Sequence, residues 1–213
     1  MKANPYFILK PYCVNHLKVV QKIIDKNNLD IDEIYSVNDW ANISRVIYKP
    51  TIKKEGYLFK IGLEGHIYLV NYFWGNNAIL LFLKVKKRIN PFYTFQLAKK
   101  AKTEIRSSLL GGPQGNDILV LMNLEKIKIT NSSVLKSYGI LGVKNTKTKN
   151  FFELGKEGLW DSYFFKYVHM PDSYKELMDE LKILKELDII DTKNKIPNEE
   201  FRKMIKFKTF IYK

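Results

Sequence analysis

The sequence predicts an α+β fold, and three observations carry that expectation. Strand-length apolar runs recur at "PYFILK", "LDIDEIYSV", "AILLFLKV" and "SYFFKYV". Between and after them lie segments whose apolar residues return every three or four positions, the spacing of a helix with one buried face. The order is strand, helix, strand, helices, strand, helix, insertions, strand, helix. A ferredoxin-like βαββαβ antiparallel sheet with helices on one face, plus insertions, suits that order.

Residues 5–10 form the first strand, and Val14, Leu17, Val20 and Ile24 then recur at helical spacing behind Pro11. Residues 29–37 alternate imperfectly through Leu29, Ile31 and Ile34 and read as the second strand. Asp39 opens a short helix over 39–48. Residues 49–65 mix proline, glycine and charge and predict loops or short strands, while 66–75 read as a helical turn or two ending at Gly75. The run 78–85 is the most hydrophobic of the chain and predicts a strand buried on both faces. After Asn90-Pro91, the apolar positions Phe92, Phe95, Leu97, Ala98, Ala101, Ile105 and Leu109 mark a helix with lysines opposite, stopped by Gly111, Gly112 and Pro113. Residues 117–129 have strand character, 131–139 read as a capped helical turn or two, and 143–161 as a polar surface insertion. Residues 162–168 make the last core strand. Ser173 followed by Glu176 spells a capping box, so a helix starts near Asp172 or Ser173, with Tyr174, Leu177, Met178, Leu181 and Leu184 on one face. The tail from about 188 is charged and weakly patterned. The expected organisation is one domain over 1–190, with insertions near 113–135 and 140–163, and a basic extension over 191–213.

Composition bounds the function. With 213 residues, 46% of them apolar, the chain is long enough to bury a real core. No apolar run reaches the roughly 18–20 residues of a membrane span, and the N-terminus does not resemble a signal peptide, so a soluble, intracellular, cytoplasmic protein is expected. Cys13 is the only cysteine, which excludes an intramolecular disulfide and a cysteine-rich zinc site. The net charge of +14 attracts polyanions such as nucleotides or nucleic acid, or it reflects a composition rich in Lys, Asn, Ile and Tyr. His16 reads as a surface residue of the first helix. The Lys99, Lys100 and Lys102 run reads as a solvated helix face or the lining of an anion path. In the 143–161 insertion, Phe151, Phe152 and Trp160 stand among lysines, as on nucleic-acid surfaces or in an exposed loop with anchoring aromatics.

Two places carry sharper chemistry. His169 stands where the last strand meets a helix start, whose N–H groups and positive dipole end favour an anion. A neutral imidazole there can accept a phosphoryl group, or simply fill the junction. Lys10 ends the first strand and turns through Pro11, which presents an ammonium to a phosphate or only finishes a strand.

Together these stretches resemble a known family. "FILKPYCV" resembles the "F-x-x-I-K-P-D-A-V" opening of nucleoside diphosphate kinases, and "YVHMPDSYKELMDEL" is similar to their "N-x-x-H-x-S-D-S-x-x-x-A-x-x-E-I" segment. Between them, "LVNYFWGNNAILLFLKV" looks like the family's "L-V-x-Y-M-x-S-G-P-V-V-A-M-V-W-E-G" stretch. The three blocks stand in the family's order. The family's aspartate after Lys-Pro is Tyr12 here, its asparagine three before the histidine is Lys166, and its serine two after is Pro171.

The resemblance implies ping-pong transfer of a terminal phosphoryl group from a nucleoside triphosphate to a nucleoside diphosphate, with Mg²⁺ bridging the phosphates. His169 would be the nucleophile, Glu180 would orient it, and Lys10 would contact the transferring phosphate. Arg106 matches a phosphate-binding arginine, Lys136 the arginine of the family's "T-I-R-x-x-F-G" turn, and Tyr57 an aromatic near the phosphate. Phe59 or His66 would flank the base, and a homo-oligomer is implied. The alternatives are a nucleotide-binding pseudoenzyme acting as a regulatory or interaction module, and a basic nucleic-acid-binding protein.

Overall fold

Four consecutive large residues, Tyr6, Phe7, Ile8 and Leu9, form β1 (Tyr6–Leu9), and all four are fully buried. Side chains alternate across a strand, so such a run suits only a strand covered on both faces. β1 is accordingly central in a four-stranded sheet of order β2-β3-β1-β4, built with β2 (Leu29–Val37), β3 (Ala78–Val85) and β4 (Val168–His169). Every neighbouring pair is antiparallel. In each of the connections β1 to β2 and β3 to β4, the chain skips one strand and returns parallel to its start. Two such split crossovers make the ferredoxin-like α+β arrangement. The computed structural model describes residues 4–55, 60, 63–64, 67, 75–86, 91–110 and 168–207.

The first connection is a single turn, α1 (Pro11–Val14), and then α2 (Leu17–Lys26), which buries Leu17, Val20, Ile23 and Ile24 on one stripe. After β2 come α3 (Trp40–Ile47) and α4 (Lys49–Glu55). The second connection contains α5 (Pro91–Leu110), with Ala98, Ala101, Ile105 and Leu109 buried. Beyond β4, α6 (Tyr174–Glu186) starts at Ser173, whose hydroxyl accepts from the Glu176 N–H at 3.1 Å. The Glu176 carboxylate reaches back to the Asp172 N–H at 2.7 Å, one residue further than a standard capping box.

α6 ends in a Schellman turn: the Ile189 N–H donates to the Leu184 carbonyl at 2.9 Å and the Asp188 N–H to the Lys185 carbonyl at 3.0 Å. That closure holds Asp188 at φ 54°, in the left-handed region. Asp188→Gly is therefore expected to raise stability by about 0.5–1 kcal/mol, read as a higher urea midpoint at unchanged slope. A lowered midpoint would show that the Asp188 side chain contributes more than its backbone costs.

The charged tail is part of the same unit as the sheet. Asp191 caps one 3-10 turn (Thr192–Asn194), Lys195 forms a bridge with Tyr35, and the Ile196 N–H donates to the Ile34 carbonyl at 2.9 Å. Strand β2 is an edge of the sheet, and this segment lies against it. α7 (Asn198–Phe207) then buries Phe201 and packs on α2.

The described residues fall into two compact units, one drawn from Met1–Trp40, Asn76–Leu109 and Tyr167–Lys213, the other from Ala41–Gly75 and Leu110–Lys166. The second has its own small core of Ala41, Leu63 and Ile67, with Tyr48 and Ile52 packed against it. Arg45 holds Glu64 through two hydrogen bonds of 2.9 and 2.8 Å. Here the structure corrects the expectation of loops or strands over 49–65, because residues 49–55 are helical. Pro50 falls in the first turn, where a missing N–H costs nothing, so it starts a helix rather than breaking one. The expected insertions near 113–135 and 140–163, and the elements expected over 117–129, 131–139 and 162–167, lie outside the described residues. Among the described residues, no helix is long and apolar enough to cross a membrane.

Candidate functional site

The register of the central strands fixes the position of the histidine. Ile8 of β1 pairs with His169 on one side and with Leu80 on the other, and Tyr6 pairs with Phe82. Paired residues and next-but-one neighbours share a face, so Tyr6, Ile8 and His169 lie on the same side of the sheet. α6 supplies Glu180 to that side, because Leu177, Glu180 and Leu184 form its buried stripe. His169 Nε2 lies 2.7 Å from Glu180 Oε2, and the Tyr6 hydroxyl donates to the same oxygen. All three residues are buried. A buried carboxylate must be satisfied by donors, and Tyr6 and His169 provide them. A ring N–H is what a carboxylate accepts from, so the bond to Glu180 favours the imidazole proton on Nε2.

Cations gather at the same end of the sheet. Lys10, one residue past β1, is fully buried, with its ammonium 5.5 Å from the centre of the Trp40 ring. Burial above all, and then the positive charges of Arg106 and Lys102, push its pKa well below the ordinary lysine value. Burial pushes the Cys13 thiol up, which makes it an unreactive core residue.

One face of α5 grips the chain on both sides of His169. Arg106 Nη2 donates to the Val168 carbonyl at 3.0 Å, Lys102 Nζ to the Met170 carbonyl at 2.9 Å, and Lys99 Nζ to the Asp172 carbonyl at 3.0 Å. Lys102 also holds Asp172 Oδ1 at 2.9 Å. The two periodicities match: alternate carbonyls of an extended chain point the same way, and helix positions i, i+3 and i+7 share a face. Burial, then the neighbouring Arg106, lowers the Lys102 pKa, although the Asp172 bond opposes both. Burial opposes ionisation of Asp172 in turn, but the Lys102 hydrogen bond and the charges of Lys102, Lys99 and Arg106 outweigh it and hold the carboxyl below its usual range.

The structure thus brings together Lys10, Arg106, His169 and Glu180. Tyr57 and Lys136, like Phe59 and His66, lie outside the described residues. One lysine of α5 departs from the solvated face expected of the run: Lys100 is exposed, but Lys102 is a buried clamp on the main chain. Sequence reasoning missed Tyr6 and Trp40, and it missed the clamping role of Lys102. A signal existed for the last, since Lys102 stands on the same stripe as Ala98, Ala101 and Ile105, where a lysine must find partners.

No protein-family model, curated protein or solved structure matches this chain. Among the described residues, no group of three or more His, Cys, Asp or Glu is placed to hold a metal ion.

Proposed function

We propose that this protein is a nucleoside diphosphate kinase-like phosphotransferase that carries the phosphoryl group on His169. The observation that carries this reading is the bond between His169 Nε2 and Glu180 Oε2 at 2.7 Å, made beside a cluster of cations in which Lys10 and Lys102 are buried and Arg106 is half-buried. With the proton on Nε2, the Nδ1 lone pair attacks the γ-phosphorus of a nucleoside triphosphate. The N–P bond forms, the bond to the β–γ bridging oxygen breaks, and its electron pair leaves with the nucleoside diphosphate. No proton has to leave Nδ1, and Glu180 supports the charge that develops on the ring. A second nucleoside diphosphate then takes the phosphoryl group from the imidazole by the reverse path. Mg²⁺ would arrive with the nucleotide as part of the substrate, bridging its phosphates. Neighbouring cations that repel one another favour an anion between them, so a transferring phosphoryl group suits Lys10 and Arg106.

Brief incubation with γ-labelled ATP is expected to place an acid-labile, base-stable label on the wild type and none on His169→Ala. Equal labelling of the two proteins would sink the enzyme reading. Thermal stabilisation by nucleotide without any label would point instead to a nucleotide-binding module that has lost catalysis.

A further inference from the structure

We infer that Lys102 is a positioning residue for His169, holding the main chain on which the imidazole is mounted rather than touching the phosphate. This rests on the phosphohistidine reading above and assigns a role to a residue outside the motifs that suggested it.

The carbonyls of Val168 and Met170 flank His169, and each is taken by a cation of α5, Arg106 at 3.0 Å and Lys102 at 2.9 Å. Among the described residues β4 is an edge strand, paired on one side with β1 and with no strand on the other. The side chains of α5 thus serve that open side as a further strand would, satisfying carbonyls that otherwise need water. Lys102 holds most of this arrangement. It is buried, and it joins the Met170 carbonyl to the Asp172 carboxylate at 2.9 Å each. Asp172 in turn precedes Ser173, the N-cap of the helix that carries Glu180. One ammonium therefore couples the strand end bearing the nucleophile to the start of the helix bearing its orienting carboxylate. An imidazole that must meet phosphorus in line, with Nε2 on Glu180, depends on that coupling, since a displacement of about 1 Å costs about 10²-fold in rate.

The test compares wild type, Lys102→Met and Lys102→Arg with two phosphoryl donors. With labelled ATP, Lys102→Met is expected to lower the first-order rate of His169 labelling about 10–100-fold at saturating nucleotide, with less than about a threefold change in the half-saturating concentration. Lys102→Arg, which keeps a cation able to bond a carbonyl, is expected to restore most of the rate. Phosphoramidate needs no nucleotide site: Nδ1 attacks its phosphorus, the donor's P–N bond breaks, and ammonia leaves. Slower phosphoramidate labelling of Lys102→Met, with recovery in Lys102→Arg, is expected here too. Equal phosphoramidate rates in all three proteins would overturn the positioning role, as would a loss confined to the half-saturating concentration of ATP. If ATP fails to label the wild type while phosphoramidate labels it and discriminates the variants, the nucleotide reading falls and the positioning role stands.

Discussion

Lys10→Met is expected to stabilise the fold and, by the same change, to slow labelling of His169 severely. The Lys10 ammonium is fully buried beside the positive charges of Arg106 and Lys102, and both facts lower its pKa. The folded value therefore lies below the roughly 10.4 of an unfolded lysine. Between those two values the unfolded chain binds more protons than the folded one, so stability rises as pH rises toward about 10.4. Below the folded value the slope from this residue vanishes, because both states are protonated, and the full penalty is present. Methionine fills a similar volume without a charge. It is expected to gain about 1–4 kcal/mol at neutral pH, as when buried ionic groups give way to well-packed apolar ones, and to flatten the alkaline slope. Urea unfolding at a series of pH values measures both. The same variant should label at least about 10²-fold more slowly, since the cation that would face the phosphoryl group is gone. A destabilised Lys10→Met would mean that the ammonium's contacts, including the Trp40 ring at 5.5 Å, outweigh the burial of its charge. A gain in stability with labelling intact would remove Lys10 from the site.

This trade explains why some of the site was legible in the sequence and some was not. The first three strands were readable because their burial is written in composition: the run 78–85 lacks a polar residue until Lys84, and it is β3 (Ala78–Val85). Ser173 with Glu176 announced the start of α6 because a cap is a local bond. His169 and Glu180 stand on consecutive elements at a fixed separation, so one motif covered both. Tyr6 escaped because its hydroxyl meets Glu180 only across the sheet, 174 positions away in sequence. The clamping role of Lys102 escaped for a related reason: its partners at Met170 and Asp172 are main-chain and surface groups, which leave no pattern of their own. Residues 49–55 misled because Pro50 and three lysines look like a loop until Ile52 finds a core to join.

Glu180 should separate structure from chemistry most sharply. Glu180→Ala removes the acceptor of both the Tyr6 hydroxyl and His169 Nε2 in a buried setting, and is expected to cost about 3–5 kcal/mol in urea unfolding. Glu180→Gln keeps the volume and an acceptor oxygen, so its cost should be about 1–2 kcal/mol. Its effect on labelling should nonetheless be large, on the order of 10²–10⁴-fold, because an amide presents either its oxygen or its NH₂ to the ring. When the NH₂ faces Nε2, the imidazole proton moves to Nδ1 and the lone pair that attacks phosphorus is lost. When the oxygen faces Nε2, the tautomer is right but the negative charge that supports the developing cation is absent. Tyr6→Phe leaves the carboxylate and its charge in place and should cost only about 1 kcal/mol. In a double-mutant cycle, Tyr6→Phe and Glu180→Gln should be coupled, since both act on one carboxylate oxygen. A Glu180→Gln protein that labels at the wild-type rate would leave Glu180 as a structural acceptor alone, and the pairing with His169 would then belong to the core rather than to the reaction.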